Sequence, residues 1–481
     1  MNVRAVLAVL GFILVIVGIL MGAALPFSYW FGGEDALAII VSLAITLAAG
    51  STLWFIGREQ RHDVGKREGF AIVAFGWVVA SLFGCLPFIF SGVIPSFTDA
   101  FFETMSGFTT TGATILPNIE AVPSGVLFWR SLTQWIGGMG IILLSVAILP
   151  LLGVGGMQLF NAEVPGLTVE KLTPRISQTA RILWMVYALF TALEAGLLMI
   201  GGMSLFDALC HSFTTLSTGG FSTKNASIAH FQSPFIQYVI IIFMFLAATN
   251  FTLHYRALKG DVKRYFHNDE FVFYTLLVLG VVLVVSIGIA SDYLPGVEEK
   301  FRSVLFQVVS ITTTTGFITA DYQLWAPAIQ LIFLLMMFHG GSAGSTAGGI
   351  KLARILLMVK NGFNEIKRLV HPKAVIPVRF NGRAVEQEII TEVLGFFGLF
   401  ISLFVFMTIV MAALGMDIKS AAGAVAATLG NIGPGFGSVG PVDTYAHVPV
   451  LGKWVLSFCM LTGRLELFTI LVLFSPVFWK R

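Results

Sequence analysis

Ten apolar runs, each long enough to cross a lipid bilayer, restrict most strongly what this chain can fold into. Because the hydrocarbon core is about 30 Å thick, a spanning helix needs roughly twenty apolar residues. Runs of that length lie near residues 5–27, 36–56, 69–92, 125–153, 182–203, 234–255, 271–291, 326–358, 389–414 and 451–478. With 56% hydrophobic and 11% charged residues, an ordinary soluble domain is excluded. The sequence predicts an all-α polytopic membrane protein whose first run is a retained helix rather than a cleaved signal.

A short Thr- and Gly-rich sequence recurs four times along the chain. The copies are Thr109–Ala113, Ser217–Phe221, Thr313–Phe317 and a looser Ile432–Phe436, aligned on Gly112, Gly220, Gly316 and Gly435. Each copy follows an apolar stretch that is too short to cross the bilayer, near residues 97–108, 205–216, 301–312 and 419–430. The sequence therefore predicts four units of helix, half-helix, loop and helix around one axis, preceded by a two-helix prefix.

Loops of this composition are suited to holding a dehydrated cation. Thr, Ser and Gly supply backbone carbonyls with few bulky side chains in the way, and glycine reaches dihedral angles that turn those carbonyls inward. The C-terminal end of each half-helix adds partial negative charge. Ordinary packing of small residues between helices is the alternative. The candidate filter residues are Thr110, Thr111, Gly112, Thr218, Gly219, Gly220, Thr314, Thr315, Gly316, Asn431, Ile432, Gly433, Pro434 and Gly435.

The basic residues cluster in alternate loops. Most of the 29 Lys and Arg residues fall on the side that carries both termini, and the positive-inside rule makes that side cytoplasmic. All four filter copies then lie at the outer face, as one pore requires. This basic face needs no nucleic-acid partner to explain it, and a docking surface for a soluble partner is the alternative. The three cysteines lack metal-ligand spacing and are expected to be packing residues.

The first two half-helices share a start signal at matching distances from the filter glycine. The signal is a Ser-x-x-Asp capping pair, formed by Ser96 with Asp99 and by Ser204 with Asp207. We interpret the shared caps as relics of duplication. The third and fourth half-helices lack the pair at those distances, where Lys300 with Ser303 and Lys419 with Ala422 are found.

A glycine-rich stretch interrupts the eighth apolar run. Residues 326–360 would form a helix about 52 Å long, which exceeds the thickness of a bilayer. Its middle contains Gly340, Gly341, Ser342, Ala343, Gly344, Ser345, Thr346, Ala347, Gly348 and Gly349, which disfavour a continuous helix. We expect a flexible constriction beneath the third filter copy, with a passive kink or close helix crossing as the alternative. A phosphate-binding loop is excluded, because Ile350 stands where that motif needs lysine and no strand precedes it.

Arg464 is the residue of the last apolar run whose burial in the membrane costs the most free energy. A buried arginine there requires partners, so we expect it below the filter and in contact with the glycine-rich stretch. The alternative is pairing with Glu466 near the membrane edge. Arg130 and Lys453 lie near span starts and are expected to be interfacial. His339 has no second His or Cys four residues away, so it is expected to serve packing or hydrogen bonding.

Several longer phrases resemble one family of bacterial membrane proteins. They are FFETMSGFTTTGAT at Phe101–Thr114, QWIGGMGI at Gln134–Ile141, HGGSAGSTAGGIK at His339–Lys351, GNIGPGFG at Gly430–Gly437 and GRLELFT at Gly463–Thr469. With the four filter copies, they make the chain similar to the Trk-type potassium uptake subunits (TrkH and TrkG) of the Trk/Ktr/HKT superfamily. The resemblance runs nearly end to end and includes the two-helix prefix.

The resemblance implies four pore units in pseudo-fourfold symmetry and a homodimer in the bacterial cytoplasmic membrane. It implies control by a cytosolic ring of TrkA-like nucleotide-binding subunits, with residues 340–349 as the gating loop and Arg464 as the pore-facing arginine. The transported ion would be K⁺, and no organic cofactor is expected in this chain. Glycine at all four filters favours potassium, since a serine at the first filter glycine accompanies sodium permeation in the wider family. Carbonyls of Thr110, Thr111, Thr218, Gly219, Thr314, Thr315, Asn431 and Ile432 would hold K⁺, although the fourth filter leaves open which carbonyls of Asn431–Pro434 take part.

Two other functional classes fit the sequence less well. A proton- or sodium-coupled solute transporter would need paired ionisable residues within the spans, which offer few besides Arg464, Glu466, His211 and Glu103. An intramembrane enzyme would need a catalytic constellation that is not evident. Potassium uptake driven by membrane potential or by proton symport is therefore the leading hypothesis. We divide the chain into a prefix and four pore units: 1–66, then 67–156, 157–266, 267–370 and 371–481.

Overall fold

The computed structural model describes residues 1–57, 65–143, 176–289 and 296–480. Within these ranges, six helices are long and apolar enough to cross a membrane. They correspond to predicted runs one, two, three, five, seven and nine, with bounds Val3–Trp30, Ala36–Gly57, Arg67–Phe90, Gln178–Ile200, Asp269–Gly288 and Gln387–Ala413. The polytopic all-α fold is confirmed. The boundary between the first and second pore units, at residues 156 and 157, lies outside the described residues.

The two prefix helices pack against each other through glycines. A Cβ on Gly50 would lie 2.9 Å from the carbonyl oxygen of Gly11, and a Cβ on Gly11 would lie 2.6 Å from that of Gly50. Small residues of this kind let two helix backbones approach closely inside a membrane. The first helix also packs against Lys66–Gly84, the first helix of the first pore unit, so the prefix forms one side wall of that unit.

Four short helices lie where the half-helices are predicted. Their bounds are Phe97–Phe108, Leu205–Leu216, Val297–Thr312 and Ile418–Leu429, and we number them half-helix 1 to 4. Half-helix 3 begins four residues earlier than expected. Its first turn carries Glu298 and Glu299, whose negative charge is favourable at a helix N-terminus.

Side-chain caps begin three of the four half-helices. Ser96 accepts a hydrogen bond from the amide of Asp99, and Ser204 accepts one from the amide of Asp207, as predicted. Half-helix 4 lacks the Ser-x-x-Asp pair, but it begins with a different cap, because Asp417 accepts a hydrogen bond from the amide of Ser420. Hydrogen bonds from Ser420 lower the pKa of the Asp417 carboxyl, so the cap is ionised at neutral pH.

The helices that follow the filter loops are broken more often than the sequence indicates. In the third unit, Pro327–Met336 and Leu352–Val370 flank the glycine-rich stretch as expected. We predicted continuous spans at 234–255 and 451–478, but Pro234–Ala247 meets Phe251–Leu258 at 105° and Val450–Arg464 meets Phe468–Phe474 at 114°. In the first unit, Ser124–Leu143 is helical, and the remainder of the predicted run lies outside the described residues.

Capping and left-handed residues account for the two unexpected bends. Asn250 accepts a hydrogen bond from the amide of Thr252 and so starts a new helix in the second unit. In the fourth unit, Glu466 and Leu467 have φ angles of 56° and 33°, which no right-handed helix can contain. The residues between the paired helices, 248–250 and 465–467, include no glycine or proline, the usual sequence signals.

A short hairpin lies at the end of the molecule opposite the half-helix entrances. Its strands are Arg379–Phe380 and Arg383–Ala384, paired antiparallel. The position follows from the chain path, because Gln387–Ala413 leads from the hairpin to the start of half-helix 4. The buried side chain of Phe380 packs with residues of Leu352–Val370 and Gln387–Ala413.

The prefix packing predicts opposite effects for two glycine substitutions. Gly11→Ala should lower the melting temperature of the purified protein, because the added Cβ forces two helix backbones apart at a cost of about 1–3 kcal/mol. Gly196→Ala is the matched control, since its Cβ meets nothing within 4 Å and alanine has the higher helix propensity. Thermal unfolding in detergent checks this, and equal melting temperatures for the two variants would contradict the packing argument.

Candidate functional site

The four filter loops share one unusual backbone conformation. Each loop has a residue with φ between 53° and 58°, followed two positions later by a glycine with φ between 75° and 97°: Thr110 with Gly112, Thr218 with Gly220, Thr314 with Gly316, and Asn431 with Gly433. A β-branched residue at positive φ is rare and strained. The same strain at three threonines and one asparagine points to a functional requirement.

The shared conformation changes the register of the fourth copy. The sequence alignment used Gly435, but the residue with the glycine conformation is Gly433. With Gly433 as reference, Asp417 stands sixteen residues before it, as Ser96 does before Gly112 and Ser204 before Gly220. The cap of half-helix 4 is therefore the equivalent of the first two caps.

The loops form a closed ring in chain order. A Cβ on Gly112 would collide with the carbonyl oxygen of Gly219 in the second loop, and each later glycine meets the next loop in the same way. Gly220 faces Thr315, Gly316 faces Ile432, and Gly433 returns to Thr111, with 2.7 Å between its added Cβ and that oxygen. Four units around one axis follow from these contacts. All four filter copies consequently lie at one face of the fold.

Backbone carbonyls in this ring lack internal partners. Within the described part of the chain, the carbonyl oxygens of Thr110, Thr111, Thr218, Thr314, Thr315, Asn431 and Ile432 accept no hydrogen bond. The carbonyl of Gly219 accepts one from Gln134 Nε2 at 2.8 Å. These residues are buried, and buried carbonyls without protein donors need water or a cation. Oxygen rings of this kind replace the hydration shell of an ion.

Gly435 lies behind the ring rather than in it. Its amide donates to the carbonyl of Val439 at 2.7 Å, and its carbonyl accepts from the Tyr322 hydroxyl at 2.8 Å. Neither group is therefore free in the way the ring carbonyls are. Pro434, between Gly433 and Gly435, packs its ring against Gly316, which places it at the junction of the third and fourth loops.

The glycine-rich stretch lies directly against the inner ends of the half-helices. The Thr346 hydroxyl donates to the carbonyls of Leu216 at 2.9 Å and Ala247 at 3.0 Å. The amide of Gly348 donates to Thr314 Oγ1 at 2.7 Å, and a Cβ on Gly348 would lie 2.5 Å from the carbonyl of Gly430. The stretch thus contacts the second, third and fourth units below the ring. This is the predicted position, and it is a folded loop rather than a kink in one helix.

Arg464 contacts the glycine-rich loop as predicted. Its Nη1 donates to the carbonyl of Thr346 at 2.6 Å and its Nη2 to the carbonyl of Gly137 at 3.4 Å, and the residue is 2% exposed. Glu466 pairs instead with Arg354, at 2.6 Å between Nη2 and Oε2. The alternative of an Arg464–Glu466 pair is therefore wrong. The guanidinium of Arg464 lies below the filter, and the hydrogen bonds that it makes to described residues all go to carbonyl oxygens.

Comparison with known proteins agrees with this geometry. A family model described as a cation transport protein, TrkH, matches residues 36–481. The Trk system potassium uptake protein TrkH of Halomonas elongata is 42% identical over 486 residues, covering 100% of both chains. The Trk system potassium uptake protein TrkG of Escherichia coli (strain K12) is 34% identical over 483 residues, covering 100% of this chain and 99% of that protein. The chain belongs to the TrkH family.

A solved structure extends the comparison to three dimensions. The crystal structure of the potassium transporter TrkH from Vibrio parahaemolyticus superposes with a TM-score of 0.91 at 39% sequence identity, covering 100% of both chains. The pseudo-fourfold arrangement of this TrkH-family chain is consistent with that structure.

Polar residues of the half-helices support the ring from behind, and the sequence analysis did not identify this role. Nine residues before the filter glycine, three units carry Glu103, His211 and Gln307. Glu103 accepts from the amide of Ile115 at 2.8 Å, His211 Nε2 lies 2.9 Å from Ser222 Oγ, and Gln307 Nε2 donates to Thr319 Oγ1 at 3.2 Å. Each thereby ties the segment leaving its own filter to the half-helix. Their common offset was the available signal.

The fourth unit of this TrkH-family chain holds its filter differently. Ala424 stands at the equivalent half-helix position and has no polar side chain. The Tyr445 hydroxyl instead donates to the carbonyl of Gly433 at 2.7 Å. The fourth filter loop is therefore supported by a different side chain from those that support the first three.

Arg130 and Lys453 are buried, so the expectation that both are interfacial was wrong. Arg130 Nε lies 2.7 Å from Glu103 Oε1, its Nη1 donates to the carbonyl of Ser222, and its guanidinium lies 3.5 Å from the ring centroid of Phe221. Lys453 Nζ lies 2.6 Å from Asp99 Oδ1. Their partners are distant in sequence, and the Arg130 contacts join the first two filter segments.

Glu194 is an intramembrane carboxyl that the sequence analysis missed. It lies in Ile176–Ile200 and is fully buried, and in the described part of the chain neither of its oxygens has a hydrogen-bond partner. An ionisable residue in an apolar span was the signal available in the sequence. His339 is partly buried, and its buried Nδ1 has no partner in the described residues, in agreement with a packing role.

The closed ring predicts that glycine is required at the revised fourth position. Gly433→Ala should reduce rubidium uptake to near background, because its Cβ would lie 2.7 Å from the carbonyl of Thr111 and φ is 97°. Gly395→Ala, in Gln387–Ala413 of the same unit, has open space around its Cβ and is the matched control. Uptake by potassium-starved cells at equal membrane expression checks this. Normal uptake by Gly433→Ala would show that the ring does not form as described.

Proposed function

We propose that this chain is a potassium uptake pore of the bacterial cytoplasmic membrane. The single observation that carries the proposal is the closed ring of four loops, in which all the buried carbonyls named above except that of Gly219 lack a donor among the described residues. Potassium is the ion named for the TrkH and TrkG relatives and for the superposed transporter. Uptake through such a pore is driven by the membrane potential, with proton symport as the coupled variant.

The ion is coordinated by carbonyls of the two residues that precede each filter glycine. These are Thr110, Thr111, Thr218, Gly219, Thr314, Thr315, Asn431 and Ile432. The carbonyl of Gly219 can still coordinate the ion, because a carbonyl oxygen has two lone pairs and the hydrogen bond from Gln134 uses one of them. Gly112, Gly220, Gly316 and Gly433 let neighbouring loops touch, and glycine at all four favours potassium over sodium.

The glycine-rich loop and Arg464 form the gate below the filter. Residues 340–349 cross the path that an ion takes on leaving the ring, because they contact the inner ends of half-helices 2 and 4 and the filter residue Thr314. Arg464 holds this loop through the carbonyl of Thr346 and adds a fixed positive charge. A positive charge beside a cation path raises the barrier to conduction. Displacement of the loop opens the pore.

The chain works as part of a larger assembly. The relatives are named as proteins of a Trk system, which supports a homodimer controlled by a cytosolic TrkA-like nucleotide-binding subunit. Both termini and the Arg379–Ala384 hairpin then face the cytoplasm, in agreement with the distribution of basic residues. The functional units are the prefix 1–66 and pore units 67–156, 157–266, 267–370 and 371–481.

The filter proposal predicts a change of ion preference on substitution of Gly112. Gly112→Ser should weaken discrimination against sodium, because the new side chain displaces the Gly219 carbonyl from the ring. Rubidium uptake in competition with sodium measures this, with Gly280→Ser, at a position open to its surroundings, as control. An unaltered preference in Gly112→Ser would contradict the filter assignment.

The gate proposal predicts a leak when the loop loses an anchor. Thr346→Val removes both hydrogen bonds of that hydroxyl at nearly constant volume, a change of about 1–3 kcal/mol. Basal rubidium flux into liposomes should rise several-fold, whereas Thr408→Val, which loses only a bond within its own helix, should behave as the parent. Unchanged or lower flux in Thr346→Val would count against the gate. The same assay with an imposed proton gradient separates symport from simple conduction.

A further inference from the structure

Two adjacent carboxylates at the start of Asp269–Gly288 join the gate loop to the hairpin. The buried Glu270 uses one oxygen, Oε1, to accept from the amide of Ala343 at 2.8 Å and from the amide of Ala353 at 2.9 Å. Ala343 lies within the glycine-rich loop, and Ala353 lies in the first turn of Leu352–Val370. That helix has no side-chain cap at Lys351, so Glu270 serves as its cap from a neighbouring helix.

Asp269 makes the corresponding contacts on the hairpin side. Its Oδ2 accepts from Lys360 Nζ at 2.6 Å and from the amide of Asn381 at 3.1 Å, while its own amide donates to Asn381 Oδ1 at 2.7 Å. Lys360 also donates to the carbonyl of Arg379 at 2.9 Å. Asn381 is the hairpin turn residue, with φ of 51°. The hairpin turn and the glycine-rich loop are therefore both hydrogen-bonded to the N-terminal end of Asp269–Gly288.

We propose that Glu270 is a positioning residue for the gate, and that the Asp269–Asn381 contact couples the position of the hairpin to it. The inference rests on the proposed gating role of residues 340–349. A partner or second chain that pulls the hairpin breaks the Asp269–Asn381 contact and moves the first turn of Asp269–Gly288. Glu270 then loses the Ala343 amide, and the loop loses its anchor on this side.

The anchored geometry explains why both ends of the loop move together. One oxygen holds the amide of Ala343 in the loop and that of Ala353 beyond it. Phe380 of the hairpin packs in the same apolar cluster as Leu356 and Leu357 of Leu352–Val370. Hairpin, helix and loop are consequently one connected body, and the carboxylates of Asp269 and Glu270 bind it to the start of Asp269–Gly288.

Rubidium flux through the purified full chain in liposomes tests this inference. Glu270→Ala should raise basal flux about tenfold, since two hydrogen bonds to a charged acceptor are lost. Glu270→Gln keeps an oxygen acceptor and should restore flux to within about twofold of the parent. Glu388→Ala is the matched control, because Glu388 is an exposed acidic residue in the first turn of Gln387–Ala413, and this variant should have the flux of the parent.

A second substitution tests the coupling to the hairpin. Asn381→Gly keeps the positive φ of the turn and removes the side chain that holds Asp269, so flux should rise several-fold. The double variant, which combines Asn381→Gly with Glu270→Ala, should show a higher flux than Glu270→Ala alone. The increase should be smaller than that of Asn381→Gly in the parent, because both substitutions act on the same series of contacts. The preference for rubidium over sodium should stay unaltered in every variant, which a general loss of structure would not preserve. If Glu270→Ala gives no folded protein, Asn381→Gly carries the test.

Three results would overturn the inference. They are parent-like flux in Glu270→Ala, full additivity of the two changes, and altered ion preference. If Thr346→Val leaks while Glu270→Ala does not, the coupling is wrong and the gate stands. If neither variant leaks, the gate proposal fails and the coupling fails with it.

Discussion

The need of buried backbone carbonyls for a partner is the constraint on which the rest of the structure depends. Each half-helix ends inside the apolar fold, and the segment that follows must leave without a helix or strand to satisfy its backbone. Four such segments solve the problem together. In each segment, the residue with positive φ orients unpaired carbonyls toward a common space. The glycine two positions later lets each segment contact the next. A cation is the natural partner for oxygens gathered in this way.

The rest of the structure supports this ring with hydrogen bonds and places the glycine-rich loop beneath it. Glu103, His211 and Gln307 tie the outgoing segments to their half-helices, and Tyr445 does so for the fourth. Below the ring, the loop donates one hydrogen bond to the carbonyl of Leu216, at the end of half-helix 2, and another to the side chain of Thr314 in the third filter loop. The loop is therefore held by the segments that form the ring. Arg464 adds a positive charge that has no carboxylate partner among the described residues, and burying such a charge within a membrane is costly.

Much of this architecture could be predicted from the sequence, because it is encoded locally. Apolar run length indicated the spans, and the Thr- and Gly-rich copies indicated the half-helices in front of them. The cost of burying arginine placed Arg464 beside the glycine-rich loop. Some of the failures have one physical cause, which is dependence on residues distant in the chain. The burial of Arg130 and Lys453 depends on acidic partners in another helix. Two glycines flank Pro434, and only the backbone conformation shows that Gly433 is the one equivalent to Gly112, Gly220 and Gly316. The bends at Asn250 and Leu467 lack a glycine or proline signal.

Ion binding at the ring is the central claim, and anomalous diffraction from crystals soaked in rubidium tests it most directly. Rubidium is close to potassium in size and chemistry, and its position can be located without reference to any transport assay. The account predicts peaks on the ring axis, enclosed by the carbonyls of Thr110, Thr218, Thr314 and Asn431, with occupancy lost in Gly433→Ala. Rubidium bound only elsewhere, or a ring without peaks in crystals that diffract well enough to show them, would contradict it.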